Sequence, residues 1–313
     1  MTTPEGRLSS RVIKGKAFEL GFDLCGIAPA HPLNEHKKIL KNWCHSGMNG
    51  TMSYLEKEMD KRTNPELLFS GAKSIIVTGL SYYSEKKQGG NGVPVISRYA
   101  YGVDYHDVII KKLNRILDFI RSYDLSVEGK SFVDTAPVLE KAWAREAGLG
   151  WRGRHSIIIN NKIGSFFFIG VIIVNIGLDY DRPFTGDHCG ECRLCIDSCP
   201  TGAINSDRTI DAGKCIANLT IENRDPVTET LAEKMDGRIY GCDRCQEVCP
   251  WNRNAVPHRV PEFNISGELA SLSREEWISM SSDRYNALFR KSAIRRKKYE
   301  SFKKNILTLS KFS

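Results

Sequence analysis

Two runs decide how this chain is read: C189-GE-C192-RL-C195-IDS-C199-P and C242-DR-C245-QEV-C249-P. Both end in Cys-Pro, and Cys215 stands alone between them. Thiolates are soft, charged ligands that suit iron. Three at close intervals wrap one loop around a cluster, and a distant residue supplies the fourth. In a two-cluster ferredoxin arrangement the last cysteine of such a run ligates the other cluster. That order assigns Cys189, Cys192, Cys195 and Cys249 to one 4Fe–4S cluster, and Cys199, Cys215, Cys242 and Cys245 to a second. A complete second run would carry a cysteine at position 239, where the chain has Ile239. Cys215 fills that vacancy, and residues 216–238 become an insertion with a helix-like stretch from Val227 to Met235. Two zinc ions, each held by a set of four cysteines, are the chemical rival. The Cys-Pro endings and the tight first run favour iron–sulfur. Two neighbouring clusters imply an electron relay, with a structural role as the alternative. Cys25 and Cys44 lie in apolar or helical surroundings and read as core thiols.

The chain has 313 residues, of which 41% are hydrophobic and 26% charged. That supports one large domain with a smaller insert or appendage. No stretch of about 18 uninterrupted apolar residues exists, and the N-terminus has no apolar signal core. The size of the chain and the confinement of eight of its ten cysteines to one metal-like pattern argue against a secreted disulfide scaffold. A reducing cytoplasm is expected. The net charge of +8 is uneven: residues 290–304 hold eight Lys or Arg and one Glu. Such a patch suits an anionic partner, nucleic acid among them, or is a solubilising terminal helix.

Upstream of the cysteines the pattern is mixed α/β. Residues 12–20 and 35–45 read as helices, and Met52 to Met59 as a short one. Ser74 to Leu80 is apolar and β-branched, a buried strand. Residues 84–97 are Gly-rich and polar, a loop. Asp104 is placed to cap a long amphipathic helix through Arg121, with Val108, Leu113, Ile116, Leu117 and Ile120 inward. Pro137 suits the first turn of a helix from Val138 to Glu146, which Gly148 and Gly150 end. Trp151 to Ser156 reads as a loop. Ser156 to Ile159 and Phe166 to Ile176 read as paired strands around a turn at 160–164. Neither a GxGxxG fingerprint nor a P-loop is present, so no dinucleotide or nucleotide motif explains where electrons would go.

Two roles are open to Asp134. It follows a strand-like segment and precedes a helix, a position that in α/β domains opens onto ligand crevices. With Val133 and Ala136 beside it, its carboxyl could have a raised pKa and act as a general acid. It could equally cap the helix after Pro137. Gly148, Gly150 and Gly153 are either ordinary turn glycines or places where backbone approaches a large flat ligand.

The stretches MNGTMSYL (48–55), RTNPELLFSGAKSII (62–76), RYAYGVDYH (98–106) and VDTAPVLEKAWAREAGLGWRGRHS (133–156), with both cysteine runs, resemble the epoxyqueuosine reductase family. The likeness is nearly continuous from about residue 10 to Arg253 and resumes at LFRKSAIRR (288–296). Reductive dehalogenases share the corrinoid-plus-two-clusters plan. The resemblance implies an α+β cobalamin-binding reductase domain over residues 1–180, a ferredoxin-like double-cluster module over 181–255 and a short helical, basic region over 256–313. It implies base-off cobalamin, electrons from an external low-potential donor, and reduction of epoxyqueuosine to queuosine at the wobble position of tRNAs for Asp, Asn, His and Tyr. Asp134 matches the family's proton donor. The matched cobalamin contacts are Lys57, Ser97, Asp134 and Ile158, with backbone near Gly150 and Gly153. Some relatives carry a cysteine at the position of Ser97, so no thiolate–cobalt role carries over. Arg290, Lys291, Arg295, Arg296, Lys297 and Lys298 are the candidates for gripping the anticodon stem-loop. Longer members continue into a C-terminal helical-repeat domain, of which only a beginning could fit before Ser313.

Two other readings stay open on sequence. One is a corrinoid reductase acting on a small molecule or on another corrinoid protein. The other is a non-enzymatic iron–sulfur carrier or RNA-binding module. Nothing in the sequence demands more than a monomer.

Overall fold

The computed structural model describes residues 8–90, 92–223 and 227–312. Residue 91 of the expected loop and residues 224–226 of the expected insertion lie outside the described residues. The first helices are α1 (Ser10–Glu19), α2 (Asn34–His45) and α3 (Met59–Thr63). They are followed by α4 (Tyr105–Arg121) and α5 (Glu140–Glu146). Strands β1 (Leu24–Pro29) and β2 (Ser74–Ser81) belong to the central sheet, while β3 (Val95–Ile96) lies outside it. After β4 (Gly129–Phe132) come the short β5 (Trp151–Arg152) and β6 (Ile158–Ile159), then β7 (Phe167–Val174).

The central sheet is antiparallel in the order β1-β2-β7-β4. Its two middle strands are apolar on both faces because both faces are covered. Ile76, Leu80, Phe168 and Ile172 pack with α1 and α4, whereas Ile75, Val77, Val171 and Ile173 pack with α5. Alternate residues of a strand point to opposite faces, so a continuous apolar run serves two layers at once. The capped helix forms as the sequence indicates. The Asp104 carboxylate accepts from the backbone N–H of His106, and all five of the expected inward residues are buried.

Three local expectations need correction. The segment 52–59 is a 3-10 turn at Ser53–Leu55 followed by α3. Trp151–Arg152 is a strand rather than loop, and it takes β6 as its partner, so β6 does not pair with β7. Helix α5 begins at Glu140, after Leu139, and not at Val138.

The cysteine-bearing module contains α6 (Leu194–Asp197), α7 (Ile216–Ile221), α8 (Glu229–Glu233), β8 (Arg238–Tyr240) and α9 (Arg244–Glu247). β8 runs parallel to β3, so the edge of the expected loop is drawn into a two-stranded sheet. The C-terminal helices are α10 (Gly267–Ser271), α11 (Arg274–Ser279), α12 (Ser282–Leu288) and α13 (Tyr299–Leu309). They share one core with the insertion: Leu219, Met235, Ile239, Trp277, Phe289, Phe302 and Ile306 are all in it.

Buried polar contacts join the sheet domain to the cluster module. Asn252 accepts from the Ser165 backbone N–H at 2.7 Å and donates to the Ser165 hydroxyl and the Gln246 carbonyl. Gln246 also accepts from the Ser165 hydroxyl and donates to Tyr82. Gly164 sits against this network at φ +74°, where an added Cβ would lie 2.0 Å from the Asn252 side-chain oxygen. Gly164→Ala is therefore expected to destabilise the protein by about 1–3 kcal/mol, from backbone strain and a disrupted buried network. A thermal melt of the cluster-loaded protein checks this; an unchanged midpoint would mean that the junction yields freely.

Candidate active site

Asp134 lies just beyond β4 in left-handed backbone, φ +53°. Its carboxylate is 67% exposed and caps no helix. Instead the relation is reversed: the Asp134 backbone N–H donates to the Glu140 carboxylate at 3.0 Å. The Asp134 carboxylate accepts from the Tyr105 hydroxyl at 2.5 Å and lies 3.7 Å from His106 Nε2. Tyr105 is held by near-parallel stacking on Phe168, at 4.1 Å, and by stacking on His106 at 4.0 Å. His106 Nδ1 is 2.6 Å from Asp104, and Asp104 is paired to Arg296 Nε at 3.0 Å.

The expected rise in the Asp134 pKa is not found. His106, with help from Tyr105, holds the carboxyl below the usual range. The carboxyl shifted upward is Glu140, which burial and then the Asp134 charge push up to about 7.

The charge of Lys141 acts in the same direction on Asp134, Glu140, His155 and Cys215, favouring the deprotonated form of each. The field of Asp134 also reaches Tyr54. Burial pushes His155 down to about 4. His155 Nε2, Arg154 Nε and Trp151 Nε1 are all buried without a hydrogen-bond partner. Three such atoms within five residues leave donors and acceptors to be met by something else. A corrin ring, rimmed with amide side chains, has the chemistry to meet them, so the residues fit cobalamin.

The other matched contacts are placed variously. Lys57 is exposed in the turn before α3. Ser97 is only 4% exposed, and its hydroxyl donates to Asp243, which lies between Cys242 and Cys245. Arg98 joins the same carboxylate through its backbone N–H at 2.8 Å and its guanidinium at 3.2 Å. Ser97 thus ties the sheet domain to the second cysteine loop. Gly150 and Gly153 answer to packing within the chain. A Cβ on Gly150 would meet the Ile159 carbonyl at 2.1 Å, and one on Gly153 would meet Ile159 and His155. The Ile158 side chain is in the core.

The cysteine thiols act on one another, and burial raises several of them. Burial pushes the Cys195 thiol up to about 11, with Cys249, Cys189 and Cys192 adding to the rise. Burial likewise raises Cys249, and the charges that add to it are those of Cys189 and Cys192. Cys242 is raised to about 11 by burial, with Cys215 contributing, and Cys215 feels Cys199. Desolvation pushes the Cys245 thiol well up, and the charges of Cys242, Cys215 and Cys195 add to the rise. Among the described residues no three Cys, His, Asp or Glu groups close on one point as ligands of a single ion. A 4Fe–4S cube presents four separate irons, one per thiol, so each set fits a cluster. Cys44 is buried, and Cys25 packs against the sheet core with its thiol pushed up to about 12 by burial.

Of the basic candidates, Arg290, Lys291, Arg295 and Lys298 are exposed. Arg296 is half-exposed and engaged with Asp104. Lys297 is buried, and its ammonium donates to the Ile221 carbonyl at 3.3 Å, so it serves packing rather than the surface. Sequence reasoning missed Tyr105, His106, Glu140, Lys141 and His155. The first two were in plain view after Asp104, but read as the opening turn of a helix.

Fold and site together define a two-cluster iron–sulfur reductase with an acid, Asp134, held beyond β4 by Tyr105. Residues 188–252 match the family described as "4Fe-4S double cluster binding domain", and residues 62–135 match "Epoxyqueuosine reductase QueG, DUF1730". The epoxyqueuosine reductase of Cellulophaga algicola is 46% identical over 297 residues, covering 95% of this chain and 96% of that protein. A crystal structure of epoxyqueuosine reductase with an epoxyqueuosine-modified tRNA-Tyr stem loop superposes with a TM-score of 0.89 at 29% identity, covering 96% of this chain and 80% of the other. The Bacillus subtilis epoxyqueuosine reductase, solved with its Asp134 catalytic loop swung out of the active site, gives 0.89 at 28% identity, covering 96% and 81%. The chain belongs to the epoxyqueuosine reductase family.

Proposed function

We propose that this protein reduces epoxyqueuosine to queuosine at the wobble position of tRNAs for Asp, Asn, His and Tyr. The carrying observation is the Asp134 carboxyl, which accepts from Tyr105 and faces His106 just beyond β4, in a chain whose residues 188–252 match a double-cluster domain. An acid and an electron route are therefore combined in one chain. Two electrons and two protons convert the epoxide to an alkene and water. Asp134 and the 151–158 hairpin would hold cobalamin, which would supply a strongly reducing metal centre. The protein's part is to protonate the departing oxygen, a poor leaving group as an alkoxide.

The same reading divides the chain into a chemical region (1–180), an electron-entry region (181–255) and an RNA-contacting region (256–313), acting as a monomer in the cytoplasm on electrons from an external low-potential donor. Among the described residues no helix is long and apolar enough to cross a membrane. Anaerobic assay on an epoxyqueuosine-containing stem-loop, after loading with iron, sulfide and cobalamin, tests the activity; no queuosine formed would reject it.

The exposed Arg290, Lys291, Arg295 and Lys298 are the residues proposed to meet phosphates. Replacing all four with Gln is expected to weaken stem-loop binding for every sequence alike. It should also flatten the slope of log affinity against log salt by about 3, four contacts at about 0.7–0.9 each. An unchanged slope in a binding titration would place the RNA elsewhere.

A further inference from the structure

The reaction consumes two protons, and Asp134 in its resting state is a carboxylate with none to give. We propose that His106, oriented by Asp104, stores the proton that Asp134 passes to the substrate, so that the Asp104–His106 pair recharges the acid. This rests on the reductase reading above.

The geometry fixes the imidazole from one side. Asp104 is buried and cannot turn away: its backbone N–H donates to the Lys291 carbonyl at 2.6 Å, and its carboxylate accepts from the His106 backbone and from Arg296 Nε. His106 Nδ1, 2.6 Å from that carboxylate, must carry the hydrogen it donates. Nε2 is left facing Asp134 at 3.7 Å. That distance is an ion-pair contact and not yet a hydrogen bond; such contacts in resting sites tighten when ligand arrives. The charged and titratable groups facing His106 are Asp104 and Tyr105 from its own helix and cap, Asp134 from the loop after β4, and Arg296 from the C-terminal segment. Two carboxylates against one guanidinium favour the imidazolium. Burial opposes this, yet the net direction for His106 is upward, and hydrogen bonds from His106 and Arg296 hold Asp104 down at about 2 despite its burial. Glu140 plays a separate part, holding the Asp134 backbone.

The step balances as follows. The epoxide C–O bonds break and a C=C bond forms with two electrons from the external reductant. Asp134 takes the His106 Nε2 proton and passes it to the departing oxygen; His106 is reloaded from solvent, and a second transfer along the same path completes water.

Asp104→Asn tests this, because Asn still caps the helix but carries no charge. In the cofactor-free protein, the His106 ring is titrated by NMR, its resonance assigned by its loss in His106→Gln. In the loaded enzyme, single-turnover reduction is followed against pH. The wild-type rate is expected to fall as pH rises through the His106 midpoint. Asp104→Asn should move both midpoints to lower pH together, by about one unit. His106→Gln should lose about 10²-fold near neutrality and recover in part with added imidazole. A ring midpoint that moves while the rate midpoint stays, or a well-folded His106→Gln that imidazole does not rescue, overturns the proposal. No turnover by the wild type overturns the reductase reading and this proposal with it. Turnover with an unmoved rate midpoint overturns this proposal alone.

Discussion

Asp134→Asn is expected to slow single-turnover epoxide reduction by about 10²–10⁴-fold while both clusters and cobalamin stay bound. The substitution isolates the proton. Asn tolerates the left-handed backbone that Asp134 occupies at φ +53°, so the loop has no steric reason to move. Its amide oxygen can still accept from Tyr105, and its backbone N–H can still donate to Glu140. What it lacks is a proton to deliver at the moment the C–O bond breaks. The low resting pKa does not weaken the expectation. It is set by the neighbouring His106 and Tyr105, and displacing water from above an exposed carboxylate pushes its pKa up. The measurement is burst-phase product formation by pre-reduced enzyme, with absorbance confirming cofactor content. A rate within about threefold of wild type would remove Asp134 from the chemistry and leave the proton to another group or to water.

The parts of the fold legible in the sequence were those with strong local pattern. Ser74–Ser81 and Phe167–Val174 are long apolar runs, and both became central strands. The cap at Asp104 and the stripe behind it became α4. What was hidden depended on partners far away in the chain. Two-residue strands such as Trp151–Arg152 carry no periodicity, so their pairing with Ile158–Ile159 could not be read. Ser97 was read as a cobalamin contact in a loop, and its tie to Asp243 was hidden because that partner lies 146 positions on. His106 was hidden for a different reason. As the second residue of a capped helix it had a sufficient structural explanation, and only the fold brings Asp134 to its far nitrogen. The cysteine sets were the opposite case, because a cluster motif encodes its own long-range contacts. The crossing of Cys249 to the first set is what that motif implies.

Cys215→Ala is expected to lower bound iron from about eight to about four per chain and to abolish multiple turnover, while the first cluster persists. The four thiols of the first set are untouched by the change. The surrounding helix should also survive, since Ile216 and Leu219 are anchored in the C-terminal core and the residue 215 backbone N–H bonds to the Asp211 carbonyl at 3.0 Å. Electrons would then halt at the first cluster, because the second would lack one of its four ligands. A companion variant sharpens the test. If a ligand were merely missing from the standard spacing, adding Ile239→Cys to Cys215→Ala should restore the second cluster. The fold says that it will not. Ile239 is fully buried in β8 and packs in the core shared with Phe302 and Ile306, and its carbonyl accepts from Asn305 at 2.9 Å. A cysteine there would enter the hydrophobic core. Iron remaining near eight in Cys215→Ala would show that Cys215 is not a ligand, and rescue by Ile239→Cys would show that β8 can turn its residue 239 toward the cluster. Either result would redraw the second site. Iron near four in both variants means that the insertion has moved the fourth ligand upstream for good, because the strand that replaced it is committed to holding the C-terminal helices.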